Sequence, residues 1–336
     1  MMAQPETLAA DLQRYLGQNA LVRDVTNLSM GWESDVYGFV LEDVATGHAE
    51  ACVLRLYFGE HGAYTAGREA AALRLLRRAG YPVPEVMTAE SGAAALGRPF
   101  LIMGRAQGEL LWSPMLLPGA PQAQAHMTRF CGLLAQLHRL DWAALPAAEL
   151  ARLPRRDVAG QLAFLGEIAR RYSLAGIDAG MSWLVARQDA VAAVPLGLIH
   201  WDFHPANVLF APPDQYTVID WTQAEVCDPR FDLAWTLVLV GTQASWDAAD
   251  RIRAGYAAQG GATTADLDYF VAAACLKRLV SVLIALAHGA ERLGMRPSAE
   301  AIMTQHLDRM AQVYRRWLEI TGLRLAEAER RLAPHL

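Results

Sequence analysis

The sequence predicts an α+β fold built from two lobes, a small β-rich lobe followed by a larger and mainly helical one. Residues 21–58 alternate apolar and polar side chains, as half-buried strands do. Residues 121–190 and 232–332 are rich in Ala, Leu and Arg, which favour helices, and a strand-and-loop segment lies between them at 196–231.

The expected elements of the first lobe follow from local signals. They are a helix over 5–18, strands over 21–58 with a turn at Thr46-Gly47, a helix over 66–79 ended by Gly80, and a buried strand over 99–103. The character of the sequence changes between residues 104 and 109. We therefore predict a first lobe over 1–104 and a second lobe over 105–336.

Composition excludes several classes of protein. Apolar residues make up 53% of the 336 residues, enough to fill a core, and a net charge of −5 gives no electrostatic footprint for nucleic acid. Four scattered Cys favour neither a zinc site nor a disulfide framework. The apolar run over 271–290 is broken by Lys277 and Arg278, so it predicts a buried helix rather than a membrane span. We expect a cytoplasmic protein with no membrane, nucleic-acid or protein partner.

A candidate phosphate site lies in the first lobe. Gly31 and Ser34, at a turn between strands, could fold backbone N–H groups over an anion, although an ordinary hairpin turn explains them too. Arg55 stands in an apolar strand, where a solvent-facing charge is the simple alternative. Glu69 shares its helical face with Leu73 and therefore needs a nearby cation, which Arg55 could supply, unless Glu69 lies at the edge of that face.

The segment 198–210, LIHWDFHPANVLF, is the most informative. Its apolar ends enclose four polar side chains, His200, Asp202, His204 and Asn207. Asp220 follows at the end of another predicted strand, so Asp202, Asn207 and Asp220 offer only hard oxygen ligands, which suit Mg²⁺. The alternative is a polar loop with an Asx-turn.

Two further features restrict the chemistry. No G-x-S-x-G motif is present, which disfavours a serine hydrolase of the common type. Asp232, in the segment DPRFDLAW, is expected in the first turn of a helix, where it would hold the loop around residue 200 by hydrogen bonds.

This order of features resembles the aminoglycoside phosphotransferase and choline kinase-like family, small-molecule kinases with a protein-kinase-like fold. The specific part is HWDFHPANVLF, then VIDW, then DPRFDLAW; the glycine turn and Arg55 are less specific. The resemblance covers about residues 20–240. It implies a protein-kinase-like α+β fold that binds ATP or GTP with Mg²⁺ and phosphorylates a small-molecule alcohol.

The resemblance also implies residue roles. Asp202 would be the catalytic base, Asn207 and Asp220 would bind Mg²⁺, and Arg55, held by Glu69, would contact the α- and β-phosphates. Gly31 and Ser34 would cover the phosphates, and the hinge that meets the base would comprise Met103, Gly104 and Ala106. His200 would brace the loop from behind.

Three residues depart from the family pattern. Trp201 stands where Gly is usual, Arg55 stands where Lys is usual, and Arg105 stands where an acid is common. Trp201 could line the acceptor pocket or pack inward.

The acceptor is only partly restricted. Residues 237–336 carry ten acidic and twelve basic side chains, which disfavours a polycationic antibiotic and leaves macrolides, sugars and amino alcohols open. The alternative function is a catalytically silent nucleotide- or ligand-binding protein with a kinase-like fold.

Overall fold

A computed structural model describes residues 5–29, 34–117, 119–120, 122–174, 176–296 and 298–336. The first lobe holds a five-stranded antiparallel sheet in the order β1-β2-β3-β5-β4. Its strands are β1 (Ala20–Asn27), β2 (Ser34–Asp43), β3 (Ala49–Tyr57), β4 (Val86–Glu90) and β5 (Phe100–Gly104). Its helices are α1 (Pro5–Leu16) and α2 (Gly62–Arg78).

The remainder of the chain is mainly helical. Its helices are α3 (Trp112–Leu116), α4 (Ala123–His138), α5 (Ala147–Leu150), α6 (Val158–Arg171), α7 (Ile177–Val185), α8 (Pro229–Gln243), α9 (Trp246–Ala258), α10 (Leu267–His288), α11 (Ser298–Gln305), α12 (Leu307–Thr321) and α13 (Ala326–Leu332). Short strands flank the loops of the candidate site: β6 (Glu109–Leu110), β7 (Gly197–Ile199), β8 (Val208–Ala211), β9 (Gln215–Val218) and β10 (Glu225–Cys227). The predicted division into a β-rich and a helical part is confirmed.

Two hydrophobic clusters fill the interior. The smaller lies between α1 and the sheet, with Leu8, Leu12 and Phe39 among its buried members. The larger joins α2, through Leu73 and Leu76, to the helices of the second lobe. Because apolar packing runs from one lobe into the other, the site between them rests on a continuous core.

The connection between the lobes is fixed to the segment that carries the candidate site. Strand β6 pairs with β8, with Glu109 opposite Phe210. Gly108 precedes this pair with a φ of +116°, and a Cβ there would lie 2.2 Å from the carbonyl oxygen of Phe210. Only glycine fits such a close backbone approach.

Helix α10 is apolar along most of its length. Within the described chain it is the one helix long and apolar enough to cross a membrane, and 72% of its most apolar window is buried inside the protein. The prediction that 271–290 forms a buried helix is confirmed, and this helix borders the candidate site.

Candidate functional site

The first part of the site is a buried ion pair between β3 and α2. Arg55 Nη1 donates to Glu69 Oε1 at 2.8 Å, which confirms the pairing expected from the sequence. Tyr57 Oη donates to Glu69 Oε2 at 2.5 Å, and the backbone N–H of Trp221 donates to Oε1 at 3.2 Å. Burial raises the pKa of Glu69, and the positive charge of Arg55 opposes that rise.

Arg55 also reaches across the cleft between the lobes. Its Nη2 donates to Asp220 Oδ1 at 2.9 Å, and its Nε donates to Ser34 Oγ at 3.2 Å. Burial disfavours its charge, but the carboxylates of Asp220 and Glu69 together raise the pKa of the guanidinium. The structure thus joins Ser34, Arg55, Glu69 and Asp220 through one side chain.

Two further cations, Arg98 and Arg296, hold the start of β2, and the sequence did not indicate either contact. Arg98 Nη2 donates to Asp35 Oδ2 at 2.6 Å. Arg296, from the second lobe, donates to the carbonyl oxygen of Ser34 at 2.6 Å and lies 3.5 Å from Asp35 Oδ1. Residues 34 and 296 are 262 positions apart, so no local pattern could have linked them.

The loop between β7 and β8 carries Asp202. Its Oδ1 accepts a hydrogen bond from Trp235 Nε1 at 3.0 Å, and its Oδ2 accepts one from Asn207 Nδ2 at 3.1 Å. His204 Nε2 lies 3.4 Å from Oδ2. Burial would raise the pKa of Asp202, but His204, Trp235 and His200 together hold that pKa well below its usual range. The side chain remains 32% exposed, so this ionised carboxylate is reachable from the cleft.

Asn207 and Asp220 lie on neighbouring backbone segments. The N–H of Ile219 donates to the carbonyl oxygen of Asn207 at 2.9 Å. The amide nitrogen of Asn207 is committed to Asp202, which directs its Oδ1 elsewhere. Asp220, at a φ of +67°, receives Arg55 on Oδ1, and no donor bonds to its Oδ2 within the described residues. The two oxygens Asn207 Oδ1 and Asp220 Oδ2 are of the hard type that Mg²⁺ prefers.

No purely acidic or Cys/His metal cluster competes with this pair. The described ranges contain no group of three or more His, Cys, Asp or Glu side chains placed to hold a metal ion. A metal ion here would therefore take few protein ligands, as Mg²⁺ does when phosphate oxygens and water complete its shell.

His200 and Asp232 position the loop from behind. Asp232 accepts the backbone N–H of His200 at 2.8 Å and that of Trp201 at 2.9 Å, which confirms its expected role. His200 Nε2 lies 2.9 Å from the carbonyl oxygen of Ile219, and its Nδ1 accepts the N–H of Asp202 at 3.2 Å. His200 thus ties the Asp202 loop to the Asp220 segment.

Trp201 packs inward. Its φ is +64°, a left-handed conformation that a bulky residue rarely adopts, and its side chain is buried against Phe231 and Trp235. The indole Nε1 donates to Glu225, and Lys277 Nζ lies 3.8 Å from the centre of the ring. These contacts hold Trp in a backbone geometry that glycine adopts without strain.

The remaining predicted residues concern the nucleotide base and the phosphate loop. Met103 and Gly104 end β5, and the N–H of Gly104 already donates to the carbonyl oxygen of Glu85 at 2.9 Å. The N–H of Arg105 donates to the carbonyl oxygen of Ala51 at 2.8 Å. Ala106 is therefore the first hinge residue that follows these backbone hydrogen bonds. Gly31 lies outside the described residues.

A match to a family model decides the family. The model of the phosphotransferase enzyme family matches residues 24–270, which is more than half of the chain. The chain belongs to this phosphotransferase family. The matched region contains every predicted site residue.

A curated relative matches about half of the chain. Acyl-CoA dehydrogenase family member 11 of Gallus gallus is 28% identical over 181 residues, which cover 52% of this chain. The match covers only 23% of that relative, so the phosphotransferase chain corresponds to about a quarter of its length.

Solved structures share the fold of this family member. An aminoglycoside phosphotransferase-like protein from Ralstonia eutropha aligns with a TM-score of 0.67 and 18% identity, covering 94% of this chain and 98% of that one. A spectinomycin phosphotransferase in complex with ADP and spectinomycin aligns with a TM-score of 0.53 and 13% identity, covering 98% and 100%. The protein-kinase-like α+β fold predicted from the sequence is confirmed.

Besides Arg98, sequence reasoning missed three contributors to the candidate site. Trp235 holds Asp202, Lys277 covers Trp201, and Arg296 holds the strand that begins at Ser34. Trp235 was within reach of prediction, because it lies one helical turn after Asp232 on α8. Lys277 is the one Lys among 30 basic residues. This makes it conspicuous in the sequence but does not predict where it lies in the fold.

Proposed function

We propose that this protein is a small-molecule kinase that transfers the γ-phosphate of ATP or GTP to a hydroxyl of a small acceptor. The single observation that carries the proposal is the arrangement of Asp202. It is an ionised, reachable carboxylate, hydrogen-bonded to Asn207, whose backbone is bonded to the residue before Asp220.

Asp202 is the proposed catalytic base. Trp235 and Asn207 fix its two oxygens, so that a remaining lone pair can accept the hydrogen bond of an acceptor hydroxyl. A carboxylate with a lowered pKa is a weak base, which suits phosphoryl transfer because the hydroxyl proton leaves late. Its main contribution is therefore to orient the hydroxyl towards the γ-phosphorus.

Arg55 and Ser34 are proposed to receive the phosphates. Glu69 holds Arg55 from one side, and the guanidinium offers several donors to phosphate oxygens. Asn207 and Asp220 would hold Mg²⁺, which neutralises phosphate charge and orients the phosphates when bound. The backbone of Met103, Gly104 and Ala106 would meet the base of the nucleotide, with Gly31 over its phosphates.

The test is the replacement of Asp202 by Asn. We expect Asp202→Asn to lower the phosphorylation rate by about 10²–10⁴-fold, because the variant cannot accept the proton, while the Kd for Mg·ATP changes little. Turnover is measured by nucleotide consumption in a panel of antibiotics, sugars and amino alcohols. Asp247→Asn, at an exposed position on α9, is the matched control and should keep wild-type turnover.

The rival is a silent nucleotide- or ligand-binding protein of the same fold. It predicts that wild type and Asp202→Asn bind nucleotide equally and that neither consumes it with any acceptor. Dehydrogenase activity is not proposed, because the chain spans only 23% of the relative that carries that name.

A further inference from the structure

Helix α10 places two consecutive cations beside the Asp202 loop. Lys277 Nζ lies 3.8 Å from the ring centre of Trp201 and 4.3 Å from that of Trp235. Trp235 donates to Asp202 at 3.0 Å. One indole ring therefore separates the Lys277 ammonium from the proposed catalytic carboxylate.

Arg278 brings a second positive charge to the same place. Its guanidinium carbon lies 6.0 Å from the ring centre of Trp235. Burial lowers the pKa of Arg278, and the negative charge of Asp202 opposes that effect. A cation in such surroundings is stabilised by a further anion that arrives with a ligand.

The local carboxylates are engaged by groups of the protein, and Lys277 is one of the cations that act on Glu225. Glu225 accepts hydrogen bonds from Trp201 Nε1 and from Arg156 Nη1. Asp232 accepts two backbone N–H groups of the loop. These carboxylates therefore stabilise the loop instead of facing an acceptor.

A cationic acceptor would meet an unfavourable surface here. Aromatic faces attract cations, but Lys277 already lies over the indoles of Trp201 and Trp235. An ammonium group brought to these rings would be repelled by the resident one. An anionic group at the same place would be attracted by Lys277 and Arg278.

We propose that the acceptor is an alcohol that also carries a carboxylate or a phosphate, which Lys277 and Arg278 bind while the hydroxyl meets Asp202. This inference rests on the proposed kinase function. In the reaction the hydroxyl oxygen bonds to the γ-phosphorus and the bond to the β–γ bridging oxygen breaks. The hydroxyl proton passes to Asp202, and the products are a nucleoside diphosphate and a phosphorylated anion.

The choice of Lys at position 277 agrees with this role. The chain uses Arg for all its other basic residues. A compact ammonium fits over two indole rings while its Nζ also lies 3.4 Å from Gln223 Oε1, whereas a guanidinium is planar and bulkier. Lys277 and Arg278 are both partly exposed, so a ligand in the cleft can reach them.

The experiment compares binding of matched alcohols by isothermal titration to the full chain. The carboxylate series is 6-hydroxyhexanoate, 1,6-hexanediol and 6-aminohexan-1-ol, and the phosphate series is glycerol 3-phosphate against glycerol. At least one anionic member should bind about tenfold more tightly than its neutral partner, and the amino alcohol should bind most weakly. The series that shows the preference identifies the anion. Equal affinities, or no binding by any probe, overturn the inference.

Variants test the assignment to Lys277. Lys277→Met should remove most of the anion preference. Arg187→Met is the matched control, because Arg187 lies 4.3 Å from the ring centre of a different tryptophan, Trp183, and it should keep the preference. An unchanged preference in folded Lys277→Met overturns the inference. In wild type, salt must weaken anion binding more than diol binding, which tests the same point without any variant.

The outcome is separable from that of the proposed function. Anion-selective binding without phosphorylation of any probe would contradict the kinase proposal and leave the ligand class standing. Phosphorylation of neutral or cationic alcohols in preference to anionic ones would support the kinase proposal and contradict the anionic acceptor.

Discussion

At the residue scale, Arg55 and Asp202 are the side chains on which the site depends. Arg55 bonds to three side chains, Ser34, Glu69 and Asp220, and it is almost completely buried. Asp202 is fixed by Trp235 and Asn207 and remains ionised. Both arrangements depend on a buried charge being matched by its neighbours.

Removing Arg55 should cost stability as well as nucleotide affinity. Arg55→Ala leaves Glu69 buried without its cation, and breaking such a pair costs about 3–5 kcal/mol. The pKa of Glu69, already raised by burial, would rise further. A raised folded-state pKa means that the folded variant favours the protonated form of Glu69. The loss of unfolding free energy should therefore be largest above that pKa and smaller at acid pH.

Urea unfolding at several pH values measures this effect. The double variant Arg55→Ala/Glu69→Gln should recover part of the stability at neutral pH, because no charge is then left buried. Equal stability of the single and double variants would contradict the account. Unchanged nucleotide affinity in Arg55→Ala would show that Arg55 is not the phosphate cation.

The pKa of Asp202 should appear in the pH dependence of turnover. His204 is the first of the neighbours that hold this pKa low against burial. A lowered pKa keeps the carboxylate ionised as pH falls, so wild-type kcat/KM should show no acid limb from Asp202 near neutrality. In His204→Leu the pKa should rise and the acid limb should move to higher pH. Coincident profiles for the two proteins would contradict this assignment.

At the element scale, short pieces of backbone place the residues of the candidate site. Strands β7 and β8 present the Asp202 loop, and the first turn of α8 presents Asp232 to its N–H groups. Strand β9 ends at Val218, two residues before the predicted end at Asp220, because Ile219 bonds to Asn207 and Asp220 takes a left-handed conformation. Element boundaries next to a functional loop are set by such tertiary bonds.

The element order was predictable from the sequence, whereas several boundaries and contacts were not. Helix α2 was expected at 66–79 and begins at Gly62, because Gly62 and Gly67 obscure the helical pattern. The Arg55–Glu69 pair was predictable, since a carboxylate on a packed face demands a nearby cation. Trp201 was left between two orientations, because its inward packing depends on Lys277, a distant residue in sequence.

Gly108 offers a test of the link between β6 and β8. Gly108→Ala combines a φ of +116° with a Cβ 2.2 Å from a backbone oxygen, so it should destabilise the protein by about 2–4 kcal/mol. Gly92→Ala is the matched control, because a Cβ there meets nothing within 4 Å. Thermal unfolding of the two variants measures the difference. Similar melting temperatures would show that the backbone near Phe210 can shift to accommodate the added Cβ.

At the scale of the whole molecule, the lobes are joined on both sides of the cleft. On one side, the N–H of Val218 donates to the carbonyl oxygen of Pro82 at 2.8 Å, and Tyr81 Oη donates to that of Leu133 at 3.0 Å. On the other, Arg296 reaches from the second lobe to Ser34. The cleft is therefore bounded on both sides by hydrogen bonds between the lobes.

The Arg296 contact should control how fast nucleotide leaves. Arg296→Ala removes the bond to the Ser34 carbonyl and one cation from Asp35, which frees the start of β2 from the second lobe. Nucleotide dissociation, followed by stopped flow with a fluorescent analogue, should become several-fold faster. Arg253→Ala, which removes an exposed ion pair with Asp250, is the control and should leave the rate unchanged. Equal rates in both variants would contradict a clamping role.

If Arg55 and Asp220 have the proposed roles, their hydrogen bond makes nucleotide binding an exchange of counter-ions. The guanidinium of Arg55 neutralises the carboxylate that is proposed to bind Mg²⁺. On the proposed function, the metal ion and the phosphates would take the place of that guanidinium at Asp220, and the phosphates would become its new partner. A branched guanidinium can make this exchange with one nitrogen while the other two still hold Glu69 and Ser34. A lysine, with a single nitrogen, would have to hold and release with the same atom, which gives a physical reason for arginine at this position.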